Sequence, residues 1–331
     1  MLDPKYIPLF IGGFIAWICF MIFVGWITSR GKNEGSSFLT GGGNLGFFLI
    51  FCTVGATMIG TGSSMGAIGN GFNHGWGGAI YGLGASAGIL SMLLFTKAKN
   101  KGFLTMSEEA QYYYGGKKII RQVMGFMMFV IEIIWLGNHL NGGAKYLAYV
   151  TQLPDVTCKI ITVLGFGIYV FIGGYMAVVT TDAVQFIAIL IGVVGLGVTQ
   201  TGKIPFLGAS AEAETIIIQL SDLLSQHGVL FAIIAGVVLA GILACTMSTA
   251  DSQLLTAASS VSQNLLQDVL HIRLSAKAAM LAARVTVIAI AVVSVALAWD
   301  PNSSVFTIVS FAWAGFGAAF GPVMLFALFW K

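Results

Sequence analysis

Long apolar stretches alternate with short polar ones along the whole chain, and this alternation predicts membrane-spanning helices. A spanning helix needs about 20 consecutive, mostly apolar residues. Nine runs reach that length, lettered here in chain order: A (7–28), B (45–72), C (76–96), D (120–150), E (156–179), F (180–201), G (229–260), H (278–299) and I (305–330). Two junctions depart from the pattern. The boundary between E and F, MAVVTTDAVQ, has almost no loop. The segment 200–228 carries Glu212, Glu214 and Asp222 around TIIIQLSDLL. It is too polar and too short to span and predicts a short helix on the outer surface.

Composition agrees with the pattern. Of the 331 residues 57% are hydrophobic and 9% charged, with a mean hydropathy of +0.90. A soluble domain carries about 25% charged residues, so this chain lacks the polar surface a globule in water needs. The expected fold class is all-α: a polytopic membrane protein of about nine transmembrane helices. Run A is long enough to span and has no small-residue cleavage site after it, so it reads as a retained helix. Cys19, Cys52, Cys158 and Cys245 are scattered, with no spacing for a disulfide framework or a metal cluster.

Basic residues set an orientation. Arg30 and Lys32 follow A; Lys97, Lys99, Lys101, Lys117, Lys118 and Arg121 lie between C and D; Arg273, Lys277 and Arg284 lie between or near G and H; Lys331 follows I. If all nine runs span, these fall on one side, and only Lys5, Lys159 and Lys203 fall on the other. The positive-inside rule then places the N-terminus outside and Lys331 in the cytoplasm of a multi-pass plasma-membrane protein. Topology accounts for the basic charge, so nucleic acid is not an expected partner. No Walker motif, nucleophile elbow or metal-ligand cluster supports an enzyme.

Polar groups inside apolar runs carry the candidate chemistry. Run G contains LACTMSTADSQLLTAASS, with Ser248, Thr249, Asp251 and Ser252 at membrane depth. Such groups are costly there and usually face a cavity or another helix. Ser248 and the Cys245 carbonyl lie one turn apart on one face, although Ser and Thr also bond back to their own helix. Asp251 lies in this helix or near its cytoplasmic end, in water. Run B concentrates Gly55, Gly60, Gly62, Gly66, Gly69 and Gly71. These residues either let helices pack closely or break the helix and free backbone carbonyls near Ala56 and Ile59 for a cation. Asp182 sits at the expected mouth of F, as a helix cap, as a functional residue that holds a second cation or relays a proton, or as both. Glu132 and His139 share a face of D, in a packing or a functional role.

Taken together, GATMIGTGSS, GGYMAVVTTDAVQ and MSTADSQLL resemble the sodium/solute symporter family, which has a LeuT-type 5+5 inverted repeat. FAWAGFGAAFGPVMLFALFW is most similar to the sodium/proline branch. The resemblance implies a sodium site on the carbonyls of Ala56, Ile59 and Cys245 and the hydroxyls of Ser248 and Thr249. A second sodium would use Asp182 with Ser248 and Thr249. A solute site would involve Gly60, Ser63, His139, Trp313 and Phe316. The implied partners are sodium, a small organic solute and the lipid bilayer. The repeat is incomplete, because the family has two further helices where only 200–228 separates F from G. The expected organisation is a leading helix (7–28), a first five-helix repeat (45–201), an external linker (202–228) and a partial second repeat (229–330). Two functions follow: sodium-coupled uptake of an amino acid such as proline or an organic acid, or an internally shortened remnant that binds sodium or a partner protein without transporting alone.

Overall fold

Helices account for all the regular structure in the described residues of the computed structural model. Those residues are 7–30, 38, 45–74, 79–95, 103, 105–196, 210–262, 266, 272, 274–300 and 302–329. Run A forms α1 (Ile7–Ser29). Run B divides into α2 (Phe47–Met58), a π-helical turn (Gly62–Ala67) and α3 (Ile68–His74), bent by 48° at the break. Run C is α4 (Ala79–Phe95), followed by the short α5 (Met106–Tyr113). Run D is α6 (Lys118–Thr151), and E with F is α7 (Asp155–Leu196). The segment after F contains α8 (Ser210–Ala213) and α9 (Ile216–Ser225). Runs G, H and I are α10 (Val229–Ser259), α11 (Ala276–Leu297) and α12 (Val305–Phe329).

Among the described residues six helices are long and apolar enough to cross a membrane, or seven if α2 and its bent continuation are one span. The further two of the nine expected runs are α4, which has 17 residues, and the arm of α7 beyond its kink. Between Leu196 and Val229 the described residues hold only α8 and α9, of 4 and 10 residues. No spanning helix is described in that interval.

Helix α10 is the centre of the assembly. Every residue from Gly241 to Asp251 is buried, and α7, α6, α9 and α11 pack around it. Its first half is apolar on all sides, and its second half carries Thr246, Ser248, Thr249, Asp251, Ser252 and Gln253. Outer helices have two kinds of face. In α1, Phe10 and Met21 turn inward while Ile15, Phe20, Phe23 and Trp26 are exposed. An exposed apolar face of this kind matches lipid, where it costs nothing.

Two expectations change here. The kink in α7 lies at Gly174, whose φ of 55° and ψ of −143° are non-helical, not at the Val179–Thr180 boundary. A side chain at Gly174 would meet the Phe38 carbonyl at 2.3 Å, so glycine is required by both backbone and space. The threonines that marked the boundary bond back to their own helix, Thr180 to Met176 O and Thr181 to Ala177 O, both at 2.8 Å. Asp182 is therefore inside the second arm of α7 and is no N-cap.

The second change concerns 202–228. Residues 202–209 lie outside the described set, but α9 buries Ile216, Ile217, Ile218, Leu220 and Asp222, so it is no loose surface helix. Glu214 anchors the segment. Its carboxylate accepts from Lys145 Nζ at 2.7 Å, Ser304 Oγ at 2.7 Å, Val305 N at 2.9 Å and Phe306 N at 2.8 Å. One acid thus ties α8 to α6 and caps the N-terminus of α12, where the helix dipole favours negative charge. At the other end of the bundle Thr105 caps α5 by accepting from Glu108 N, and Tyr114 donates to Val323 O of α12 at 2.7 Å.

Candidate functional site

The break in run B faces α10 and α6. Ile59 leaves the helical region (φ −96°, ψ 74°), and its N–H closes α2 on the Gly55 carbonyl. The ladder restarts where the Ser63 and Ser64 N–H groups both donate to Gly60 O, at 3.2 and 3.0 Å. The carbonyls of residues 56–59 fall between the two ladders. Irregular backbone at membrane depth is tolerated where protein or a cavity receives it.

Hydroxyls of α10 meet this break. Thr249 Oγ1 lies 3.0 Å from Thr57 O and 3.1 Å from Cys245 O, and donates between them. Ala56 packs against Ala244 and Cys245, with Ile59 at the edge. Ser248 donates to Asp182 Oδ1 at 2.7 Å, and Thr53 of α2 donates to Asp182 Oδ2. All six residues expected at the ion sites, Ala56, Ile59, Asp182, Cys245, Ser248 and Thr249, therefore lie around one contact between α2, α7 and α10. Of its two expected places, Asp251 takes the one inside the helix and not the one in water. It is fully buried and accepts from Tyr169 of α7.

Sequence reading missed the partners on the other side. Thr53, Thr57 and Thr61 form a hydroxyl stripe on run B at four-residue spacing, a signal that was legible. Thr57 Oγ1 is 3.0 Å from Ser252 Oγ. Thr61 Oγ1 is 2.8 Å from His139 Nδ1 and 3.0 Å from Thr246 Oγ1. These contacts need close approach. A Cβ on Gly60 would come within 2.7 Å of both His139 Cε1 and Thr249 Oγ1, and one on Gly142 within 1.9 Å of Thr61 Cγ2.

Beside the break lies a cavity of about 320 Å³, walled by α2, α6, α10 and α12. Of the expected solute residues, Gly60, His139, Trp313 and Phe316 line it. Ser63 does not, and its hydroxyl donates to Gly60 O at 3.0 Å. One wall is aromatic: the Trp135 ring centroid lies 4.9 Å from that of Trp313 and 5.4 Å from that of Phe316, both edge-on. Trp135, Glu132 and Gln253 also line the cavity. A second cavity of about 250 Å³ shares Met106, Met128, Ser252 and Thr256 with the first and continues toward Ser107 and Ser259.

Broken and kinked helices packed around a central apolar helix, with polar groups gathered at the break, define the architecture of a membrane transporter. The comparisons agree. The pattern of the Sodium:solute symporter family matches residues 38–228 and 210–331, and the chain belongs to that family. The high-affinity proline transporter PutP of Bacillus subtilis (strain 168) is 42% identical over 120 residues, 36% of this chain and 24% of that protein. A sodium/proline symporter of Haemophilus influenzae (strain ATCC 51907 / DSM 11121 / KW20 / Rd) is 39% identical over 150 residues, 43% of this chain and 28% of that protein. The matches thus span about a quarter of the length of these relatives, which are transporters. A solved structure, the substrate-bound outward-open state of a Na+-coupled sialic acid symporter, superposes with a TM-score of 0.71 at 15% identity. It covers 97% of this chain and 87% of that one. The shared fold is LeuT-type.

Proposed function

We propose that this chain binds sodium where α2 breaks against α10 and takes a small organic solute in the adjoining cavity, and that the inward movement of sodium drives solute uptake by alternating access. Thr249 carries this reading: its hydroxyl sits between the carbonyls of Thr57 and Cys245, one from each helix. Oxygen groups from two helices that move relative to each other let a hard cation report on, and bias, their separation. The ligands in this reading are the Ala56, Ile59 and Cys245 carbonyls with Ser248 and Thr249. Asp182 would hold a second sodium through the same Ser248. The solute residues are those that line the cavity, Gly60, His139, Trp313 and Phe316, with Trp135 added. An amino acid such as proline, the solute named for the relatives, fits a cavity of this volume.

The proposed organisation keeps a leading helix, a complete first repeat (45–201), the linker and a partial second repeat (229–330), in a plasma membrane with the N-terminus outside. The two family matches share residues 210–228, as an interruption of the family pattern at that linker would produce. This favours a second reading, an internally shortened form that binds sodium or a partner protein without solute flux.

Proteoliposomes separate the two. Uptake of labelled L-proline and a panel of amino and organic acids is measured with and without an inward sodium gradient. Sodium-driven uptake, abolished by Ser248→Ala with Thr249→Ala, supports symport. A sodium-induced rise in melting temperature without flux supports the shortened form. Neither response would overturn both.

A further inference from the structure

The central cavity contains a carboxylate that its own walls do not neutralise. Glu132 lines it at 6% exposure, and no hydrogen bond from a described residue reaches its Oε2. Among the described residues lining the cavity there is no Lys or Arg and no second acid. Across the space, Gln253 is 4% exposed with both amide atoms unpartnered, and Trp135 Nε1 and His139 Nε2 are unpartnered as well. The remaining wall is the aromatic cluster of Trp135, Trp313 and Phe316.

Each of these features constrains a ligand. A buried carboxylate without a partner is costly and is relieved by a cationic donor. Aromatic faces attract cations and also receive an apolar body. The unpartnered Trp135 N–H and the Gln253 amide offer donors for an acceptor elsewhere on the same molecule. By contrast, an anionic solute without a basic nitrogen brings no donor that favours an ionised Glu132 and places its own negative charge in a space of low dielectric.

Resting on the solute-cavity reading above, we propose that Glu132 is a specificity-determining residue that pairs with the ammonium group of an amine-bearing solute, whose apolar body lies on the Trp135–Trp313–Phe316 wall. The site selects cationic or zwitterionic amines over simple anions.

Three probes with one five-membered ring test this: prolinamide, which keeps the ring ammonium and lacks the carboxylate; L-proline, which has both; and pyroglutamate, which keeps the carboxylate and lacks a basic nitrogen. Equilibrium binding is measured on the purified full chain in nanodiscs with sodium present. Prolinamide and proline are expected to bind, pyroglutamate to bind at least tenfold more weakly, and Glu132→Gln to weaken prolinamide at least tenfold. Prolinamide binding unchanged in Glu132→Gln, pyroglutamate binding as tight as prolinamide, or no binding of any probe overturns the proposal. The sodium-induced shift in melting temperature shows whether the variant is folded and tests the ion site separately. A sodium shift with prolinamide binding insensitive to Glu132→Gln removes the amine assignment alone. Prolinamide binding that depends on Glu132 without a sodium shift removes the ion reading alone.

Discussion

Single atoms decide the chemistry at the break in run B. Thr61 Oγ1 is shared between His139 and Thr246, both buried. Thr61→Val keeps the shape and removes the hydroxyl; Thr246 Oγ1 keeps its bond to Ile242 O, and His139 Nδ1 is left with only the Thr61 N–H at 3.4 Å. A loss of about 1–3 kcal/mol is expected for one buried group that loses its partner, read as a lower melting temperature of the purified chain. Gly142→Val tests packing at the same point, because even a Cβ there would meet Thr61 Cγ2 at 1.9 Å. Overpacking of this kind costs about 1–3 kcal/mol. The expected signature is lower stability together with loss of sodium-induced stabilisation, since α6 would push the break away from α10. Unchanged stability in either variant would contradict the contacts described. At this scale the sequence was readable in part. Ser248, Thr249 and Asp182 stood out because hydroxyls and acids are rare at membrane depth. Thr53, Thr57 and Thr61 were hidden among glycines, whose packing and breaking roles look alike in one dimension.

At the scale of elements, the chain uses two devices to seal or bend its helices. One is Gly174, which lets α7 change direction where a side chain would strike Phe38 O. The other is Glu214, 1% exposed and bonded to Lys145, Ser304 and two amides at the start of α12. Glu214→Ala removes the carboxylate from Lys145, which keeps its bond to Ser303 O, and leaves the α12 terminus without its cap. Breaking a buried pair costs about 3–5 kcal/mol. Faster amide exchange at Val305 and Phe306 is expected, along with a fall in melting temperature; protection equal to wild type would show that the latch does not hold this end. The short helix α9 was expected from its apolar run between polar flanks. Its burial was not, because the surfaces that cover it come from α10 and α3, distant in sequence.

Across the whole molecule, the two cavities set a direction. The central space continues past Ser252 and Thr256 toward α5, which the proposed orientation puts in the cytoplasm. The hydrogen bonds of Glu214 tie α8, α6 and α12 together at the opposite end. A single cysteine at Thr256 in a background lacking Cys19, Cys52, Cys158 and Cys245 is therefore expected to react with an impermeant maleimide in inside-out vesicles and to be protected in right-side-out ones. A cysteine at His227, exposed at the end of the linker, should show the reverse. The same sidedness for both, or the opposite pattern, would refute the orientation.

Length, hydropathy and the spacing of basic residues were enough to predict an all-helical membrane protein, the sites of its apolar runs and the acids and hydroxyls placed at cost within them. Those are local properties, set by what each segment must bury over about 20 residues. Beyond the meeting of Asp182 with Ser248 that the resemblance implied, tertiary structure decided which polar groups meet. Thr57 reaches Ser252 across 195 positions, Thr61 reaches Thr246 across 185, Thr53 reaches Asp182 across 129, and Glu214 reaches Phe306 across 92. Such meetings depend on where helices cross and how closely glycine lets them approach. Periodicity within one helix shows which face a residue is on, and the crossing determines which residue of another helix faces it.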